Sequence, residues 1–402
     1  MGHARLSADV SDPRWAPRDP TVSTRPATDR LADWVALVDA RYPERDAASW
    51  DATGLQVGDP DDAVHGVLVC LDVTAASLDE AREHGCDLIL AHHPLLFRGL
   101  ARLTPDTAPG RLALSAARAG VAVLAAHSNI DVAAPGTTEP ITGLLGLGDV
   151  EPLQPTPPPE PCKLVTFVPV EDTMTVLGAL SAAGAGVIGE YDHCGFRVAG
   201  TGSFRPSPAA SPHLGERGEL NEVTEERLEV DCDRDDLDAV VAALWQAHPY
   251  EEVAYDVYPL TAPAVTDGKG LGRVGELDEP LTVREVCDRL ADGLPAPFLR
   301  VAGELDAPVR RVAACGGAGD ALIDAACAAG AECFVTGDLR HHPTLDARSQ
   351  GLAVVDAGHG AVEQAAMATV ADALAADADK AGLSAPVRRS ALAGEPWADY
   401  RR

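Results

Sequence analysis

The sequence has little basic charge. Its 402 residues include 32 Lys and Arg against 62 Asp and Glu, which gives a formal net charge of −30. Non-specific binding to nucleic acid or to an anionic membrane depends on clustered basic residues, and the sequence contains no such cluster. We therefore expect neither a nucleic acid nor a membrane among the partners of this protein.

Long apolar runs are also missing. No stretch of about 18 uninterrupted apolar residues occurs, and the N-terminal segment mixes Arg, Asp, Pro and Ser without the apolar core of a signal peptide. The 9 cysteines are scattered and odd in number, and several lie in apolar runs, which is typical of reduced core residues. The sequence thus predicts a soluble, cytoplasmic protein.

Several common catalytic motifs are absent. There is no Walker A loop, no nucleophile elbow and no C-x-x-C pair, which excludes the usual nucleotide kinase, serine hydrolase and redox classes. The stretch Gly270–Gly275 spells G-x-G-x-x-G, but it follows a Pro/Gly-rich loop instead of a strand. We interpret it as a turn entering a strand and not as a dinucleotide-binding loop.

The length predicts two or three folding units. Residues 1–27 lack hydrophobic periodicity, and we expect them to form a flexible N-terminal tail. Residues 28–160 alternate helical patterns with continuous apolar runs, namely 66–71, 87–91 and 121–125. Such runs predict buried strands of a parallel sheet that is covered on both faces.

A different pattern occupies residues 161–261. The preceding stretch 151–161 is more than half proline, so we expect it to be a boundary that lies outside any sheet. The elements that follow have the order β-α-β-β-α-β, which predicts an inserted ferredoxin-like domain. Residues 262–384 then return to the α/β pattern, and residues 385–402 are assigned to a C-terminal tail.

The second α/β segment repeats features of the first in the same order. Residues 85–94 end a strand at His92-His93-Pro94, and residues 331–343 lead through a strand to His341-His342-Pro343. Further strands end near His127 and His359, and a carboxylate, Asp131 or Glu363, stands four residues after each histidine. We therefore predict a duplicated α/β core with mostly parallel sheets and a pseudo-twofold axis, interrupted by the inserted domain.

The histidines fall at the carboxyl ends of the predicted strands, where parallel α/β sheets bind ligands. Consecutive residues at a strand end point in different directions, so His92 and His93 suit two metals better than one. His359 and Glu363 would share one face of a helix that begins at His359. Mixed imidazole and carboxylate sites suit Zn, Fe, Mn, Co or Ni. We predict two divalent metal ions per chain, held by His92, His93, Asp131, His359 and Glu363.

The alternative for any single histidine is a structural, hydrogen-bonded residue, and we assign that role to those without a carboxylate in register. They are His65, His84, His193, His213 and His248. His127 and His342 are predicted to be catalytic residues. His127 would move protons, and His342 would contact the substrate or support the ligands.

Five stretches resemble the Nif-three-like dinuclear metal-centre family, whose members are often called GTP cyclohydrolase I type 2 homologues. They are WDATGLQVG (50–58), LAHHP (90–94), HSNIDVAAPG (127–136), VTGD (335–338) and DAGHGAVE (356–363). The resemblance implies the same five metal ligands with His127 close by, and a homohexameric ring enclosing a cavity. It also implies a purine nucleotide substrate, such as GTP, that is opened at its imidazole ring.

The predicted insert resembles domains of the PII and CutA type. The resemblance rests on GAGVIGEYDHC (184–194), GTGSFR (200–205) and HPYEEVAY (248–255), and it implies association through the sheets of three copies. One departure lies at residues 137–140, where the family more often has a Gly-x-Asn pattern. That difference concerns contacts of the pocket and not the metal ligands.

Two functions from different classes fit these features. The first is a metal-dependent hydrolase acting on a small molecule such as a nucleotide. The second is a non-catalytic metal-binding or regulatory hexamer in which a PII-like insert senses a ligand. Open coordination positions favour catalysis but do not identify a substrate.

Overall fold

The structure is a computed structural model that describes residues 29–157, 160–189, 191–261, 268–295 and 298–397. The predicted N-terminal tail lies outside these residues. The described chain forms two compact units: one consists of the residues up to 156 and from 268 onward, and the other of residues 157–261.

The strands and helices follow one another along both units. The strands are β1 Gly54–Val57, β2 Val67–Cys70, β3 Leu88–Ala91, β4 Ala122–Ala125, β5 Leu147–Pro155, β6 Pro161–Pro169, β7 Gly195–Phe204, β8 Asn221–Asp233, β9 Tyr255–Pro259, β10 Gly270–Thr282, β11 Arg300–Ala302, β12 Pro308–Ala318, β13 Cys333–Gly337, β14 Ala353–Asp356 and β15 Val387–Arg389. The helices are α1 Leu31–Arg41, α2 Ala75–Glu83, α3 Ala108–Ala119, α4 Ser128–Asp131, α5 Glu139–Leu145, α6 Thr173–Ala182, α7 Leu237–Ala247, α8 Val283–Gly293, α9 Ile323–Ala328, α10 His341–Ser349 and α11 His359–Ala381.

The larger unit contains two sheets with matching strand orders. The first is five-stranded, in the order β1-β4-β3-β2-β15, and the second is six-stranded, in the order β11-β14-β13-β12-β10-β5. In each sheet three consecutive parallel strands, β2 to β4 or β12 to β14, are flanked by an antiparallel strand, β1 or β11. The predicted α/β fold with mostly parallel sheets is confirmed.

The central strands are buried, and mostly apolar, because both faces of the sheets are covered. Every residue of β2, β3 and β4 is buried, as is every residue of β13 and β14. Local signals define the intervening helices. Thr74 accepts a hydrogen bond from the backbone of Ser77 at the start of α2, and α3 ends at Gly120 in the left-handed conformation with φ 63°.

Helix α11 contributes to the cores of both halves of the larger unit. Val362, near its start, packs with the second sheet. One to four turns later, Met367, Val370 and Leu374 pack against Leu31 and Trp34 of the first half. The helix therefore packs against both halves of the larger unit and connects their cores.

Three details differ from the expectations drawn from the sequence. The expectation that residues 151–161 lie outside any sheet is wrong, because β5 extends to Pro155 and β6 begins at Pro161. Among the described strands, β5 pairs with β10 alone, and an edge strand tolerates residues such as Pro152 that cannot donate a hydrogen bond.

The glycine-rich motif is also placed differently. Gly270–Gly275 belongs to strand β10 itself and is not a turn before it. The register of its pairing with β5 shifts between Val274 and Glu276, and such a shift accommodates an irregular backbone within the strand. Finally, residues assigned to the C-terminal tail include β15, which pairs in parallel with β2.

The smaller unit has a four-stranded sheet in the order β7-β8-β6-β9. Its strands pair antiparallel, and α6 and α7 pack on one face. The core between sheet and helices includes Leu164, Val176, Leu180, Val230 and Leu244. Among the described residues of both units, no helix is long and apolar enough to cross a membrane.

Candidate metal centre

The histidines of the candidate site are held by the ends of strands. The backbone N–H of His92 donates to Cys70 O at 3.1 Å, and that of His93 donates to Leu71 O at 2.9 Å. These bonds continue the parallel pairing of β2 with β3 beyond the last residue of β3. The two consecutive side chains are therefore fixed on a rigid part of the sheet.

The other predicted ligands begin or end helices that follow strands. His127 precedes α4, whose last residue is Asp131, and His359 is the first residue of α11, with Glu363 one turn further on. A glycine lets the backbone approach the carboxylate of Glu363 closely. Gly317 has φ 64°, and a Cβ at that position would collide with Oε1 of Glu363.

Glu363 is shared between two groups of potential ligands. Its Oε1 lies 3.5 Å from His92 Nε2, which is 3.6 Å from Asp131 Oδ1. Its Oε2 lies 3.1 Å from His93 Nε2 and 2.9 Å from His359 Nε2. All five residues predicted as ligands therefore meet, and they divide into two sets of three, with one Glu363 oxygen in each set.

His127 lies beside these two sets. It forms a third group with His92 and His93, in which the potential ligand atoms all lie within 4.8 Å of one another. Its ring centroid is 5.0 Å from that of His92 and 5.7 Å from that of His93. The position is compatible with a proton carrier and also with a further ligand.

Each of the four imidazoles has its Nδ1 next to an oxygen. Nδ1 of His93 lies 2.9 Å from Asp72 Oδ1, and Nδ1 of His359 lies 2.9 Å from Asp338 Oδ2. Nδ1 of His127 lies 2.9 Å from Asp51 Oδ1, and that of His92 lies 3.2 Å from Ala126 O. An oxygen acceptor keeps the proton on Nδ1 and leaves Nε2 free to bind a cation, as in many metal sites.

Sequence reasoning missed Asp51, Asp72 and Asp338, and also Thr137, whose Oγ1 donates to Asp131 Oδ1 at 2.6 Å. A signal was available for two of them: Asp72 and Asp338 follow the ends of β2 and β13, just as the histidines follow β3. Asp338 also has a positive φ of 52°, a strained backbone conformation that often occurs at functional sites.

Some polar atoms of the site are buried without hydrogen bonds. The Nε2 of His92 and the Oε2 of Glu363 have no hydrogen-bond partner within the described part of the chain, although imidazole nitrogens lie close to Oε2. Such atoms are costly to bury unless something satisfies them. Coordinated cations would satisfy both, so the donor set fits a metal site.

The pKa values of the cluster are also those of a site where protons and cations compete for the same side chains. Burial alone would raise the pKa of Glu363, but the neighbouring charge of His92 holds it well below its usual value. Burial would lower the pKa of His93, yet the hydrogen bond with Asp72 and the Glu363 carboxylate raise it to about 10. For His359, Glu363 outweighs burial and raises the pKa to about 9. The carboxylates thus stabilise positive charge at the imidazoles.

His342 is not part of any of the three groups. It is an exposed residue in the first turn of α10, and its ring centroid is 5.2 Å from that of His341. Its role in substrate contact stays a prediction.

His248, predicted to be structural, is buried, with Nε2 3.0 Å from Phe167 O.

The fold and the site together define an α/β protein of two similar halves whose strand ends bring potential metal ligands together. The chain belongs to the Duf34/NIF3 (NGG1p interacting factor 3) family, whose sequence profile matches residues 30–396.

Proteins similar to this chain include two named GTP cyclohydrolase 1 type 2 homolog. The one from Mycobacterium tuberculosis is 41% identical over 372 residues, which cover 92% of this chain and 96% of the relative. The one from Bacillus subtilis is 42% identical over 325 residues, which cover 81% and 87% respectively.

Solved structures of similar proteins agree with this assignment. A Bacillus cereus protein related to NIF3 is 38% identical with a TM-score of 0.66, and the match covers 92% of this chain and 99% of the other. The Staphylococcus aureus protein SA1388 is 26% identical with a TM-score of 0.68 and the same coverage. The family and its fold are therefore established for this chain.

Proposed function

We propose that this protein is a dinuclear metal-dependent hydrolase that acts on a purine nucleotide. The observation that carries the proposal is the position of Glu363, whose two carboxylate oxygens belong to two different groups of potential ligands. A carboxylate in that position can bridge two cations. One would be held by His92, Asp131 and Glu363, and the other by His93, His359 and Glu363.

Three protein ligands per cation leave room for water and substrate, as at catalytic zinc sites. Two bound cations would lower the pKa of a water molecule and stabilise the charge that develops on the substrate. The surrounding aspartates would orient the imidazoles, and His127, whose Nδ1 contacts Asp51, would move a proton. His342 is proposed as a residue that contacts the substrate.

The proposed substrate class is supported by the name of the relatives, GTP cyclohydrolase 1 type 2 homolog. For GTP, the reaction would add one water molecule across a carbon–nitrogen bond of the imidazole ring. A homohexamer is part of the proposal, with the metal sites facing an internal cavity, and the cytoplasm is the proposed location.

A specific feature favours a second candidate, a regulatory assembly in which the smaller unit senses a ligand. That unit has a cavity of about 690 Å³ lined by Phe167, Phe204, Arg227 and Tyr250, among others. Tyr250 donates from its hydroxyl to Glu225 Oε1 at 2.7 Å in the cavity wall. Cavities of this size bind small molecules, which suits a PII-like sensor.

Metal analysis followed by a product screen separates the two candidates. Purified protein should hold close to two transition-metal ions per chain, and a His93→Ala, Glu363→Ala double variant should lose most of them. Unchanged metal content in that variant would overturn the site. The screen then tests nucleotides and phosphoesters with the metal-loaded protein, and complete lack of turnover would favour the regulatory assembly.

A further inference from the structure

Two large aromatic side chains stand exposed next to the candidate metal centre. The side chains of Trp50 and Phe97 are 63% and 45% exposed. Their ring centroids lie 6.1 Å apart, with an angle of 61° between the planes. Both also contact His127, with centroid distances of 6.2 Å for Trp50 and 6.3 Å for Phe97. The three rings form a cluster that we call the aromatic subsite.

The loops that carry these rings are fixed by hydrogen bonds. Asp51, next to Trp50, accepts from the backbone N–H of Ser128 at 3.0 Å and from that of Ala52 at 2.8 Å. Gln56 joins the two loops, because its Nε2 donates to Ala52 O at 2.8 Å and its Oε1 accepts from Leu96 N at 2.9 Å. The backbone segments that carry the exposed rings are therefore fixed next to His127.

Within the aromatic subsite, His127 is the ring next to the potential metal ligands. The ring of His127 lies between the aromatic pair and His92 and His93, at centroid distances of 5.0 Å and 5.7 Å from those two histidines. A planar group that stacks on Trp50 or Phe97 would thus lie beside His127 and within reach of the cations. A phosphate would gain little from such a surface, whereas every heteroaromatic base has a face that stacks on it.

We propose that Trp50 and Phe97 bind the planar heteroaromatic ring of the substrate and present that ring to the metal centre. The inference rests on the proposed function and adds an orientation to it, since the ring of the nucleotide, and not its phosphate, lies next to His127. The exposure of both rings is consistent with this role, because large aromatic side chains held at the surface commonly mark binding sites.

The test compares two ligands that share a phosphate but differ in the base. Guanosine 5′-monophosphate carries the ring, and ribose 5-phosphate does not. Calorimetry with the metal-loaded full chain should show tighter binding of the nucleotide. Trp50→Ala should weaken nucleotide binding by about 5- to 150-fold, the range for loss of one stacked base, and leave ribose 5-phosphate binding nearly unchanged.

Matched variants make the result specific. Trp50→Phe keeps an aromatic face and should retain most of the preference for the nucleotide, and Phe97→Ala should reduce it. Trp245→Ala is the control, because Trp245 is 44% exposed but lies in α7 of the smaller unit. Equal weakening of both ligands by Trp50→Ala, or no wild-type preference for the nucleotide, would overturn the proposal.

Two further readouts keep this inference separate from the proposed function. If the nucleotide preference disappears in Trp50→Ala but no nucleotide is hydrolysed, the subsite stands and the hydrolase proposal fails. If hydrolysis occurs with an unchanged preference in both alanine variants, the subsite alone is wrong. A change in oligomer size as the sole effect of Trp50→Ala would also count against it, since the ring would then belong to an interface between copies.

Discussion

Oδ1 of Asp72 lies 2.9 Å from Nδ1 of His93, on the side of the ring away from Glu363. Asp72 follows β2 and His93 follows β3, so the contact joins the ends of two neighbouring parallel strands. The carboxylate holds the proton on Nδ1 and turns Nε2 toward Glu363 at 3.1 Å. Asp72 is not itself a potential ligand, but it determines that His93 would bind a cation through Nε2.

Asp72→Ala should weaken the binding of one of the two cations by about 10- to 100-fold, the usual effect of removing such a supporting partner. The cation held with His93 and His359 should be affected, and the one held with His92 and Asp131 should not. Titration of the metal-depleted protein with Zn²⁺ against a chelator measures both steps. Asp79→Ala, at a half-exposed position of α2, is the control, and equal weakening of both steps would contradict this account.

Metal binding should release protons and become tighter as the pH rises. The raised pKa values, about 10 for His93 and about 9 for His359, mean that protons occupy these imidazoles at neutral pH. A cation must displace those protons, so affinity should increase by about tenfold per pH unit for each proton displaced, and level off above the two pKa values. Calorimetry in buffers of different ionisation enthalpy counts the released protons, and an affinity independent of pH would argue against the assignment.

Residues 162–260 should be removable with a short linker while the remaining core folds. The backbone N–H of Thr156 donates to Lys269 O at 3.1 Å, and Pro155 pairs with Gly270, so the chain leaves and re-enters the larger unit at adjacent positions of β5 and β10. Circular dichroism, metal content and size-exclusion chromatography provide the test. Insoluble protein would show that the smaller unit completes the core, whereas retained metal with a changed oligomer size would support a capping role.

Asp131 and His127 should respond differently to substitution although both belong to the turn after β4. Asp131→Asn preserves the shape but removes the charge that offsets a cation, so metal affinity should fall. His127→Ala should leave metal content nearly intact and slow turnover by about 10²–10⁴-fold, the usual yield of general acid–base catalysis. Metal content and nucleotide hydrolysis are measured in the same preparations, and loss of metal from the His127 variant would make it a sixth ligand.

From the sequence we could predict the five side chains that come together at the candidate site, but not the contacts that orient them. His92 and His93 could be placed because a continuous apolar strand ends just before them, and strand ends of a parallel sheet share one edge. Asp51 could not be placed in this way. It lies in a loop, and its contact with His127, across 76 residues, depends on how that loop folds back on α4.

The misjudged segments have physical explanations as well. Proline usually indicates the end of a sheet, but within the described part of the chain β5 is paired along one side only, so the missing N–H of Pro152 is tolerated. The three residues of β15 are too few to give a pattern, and their pairing with β2 brings together segments that lie far apart in the sequence. Long-range pairing of this kind leaves no local signal.

The packing of α11 has a consequence for synthesis of the chain on the ribosome. Trp34 of α1 is completely buried against a core that includes Val370 and Leu374, and these residues are translated several hundred residues after Trp34. At about 5–20 residues per second, the ribosome needs tens of seconds to span that interval. Until α11 is synthesised, the apolar surface of the nascent first half stays exposed. The smaller unit is contiguous in sequence, so it can complete its own core in the meantime. Chaperone demand should therefore concentrate on the first half of the larger unit, which includes Trp34.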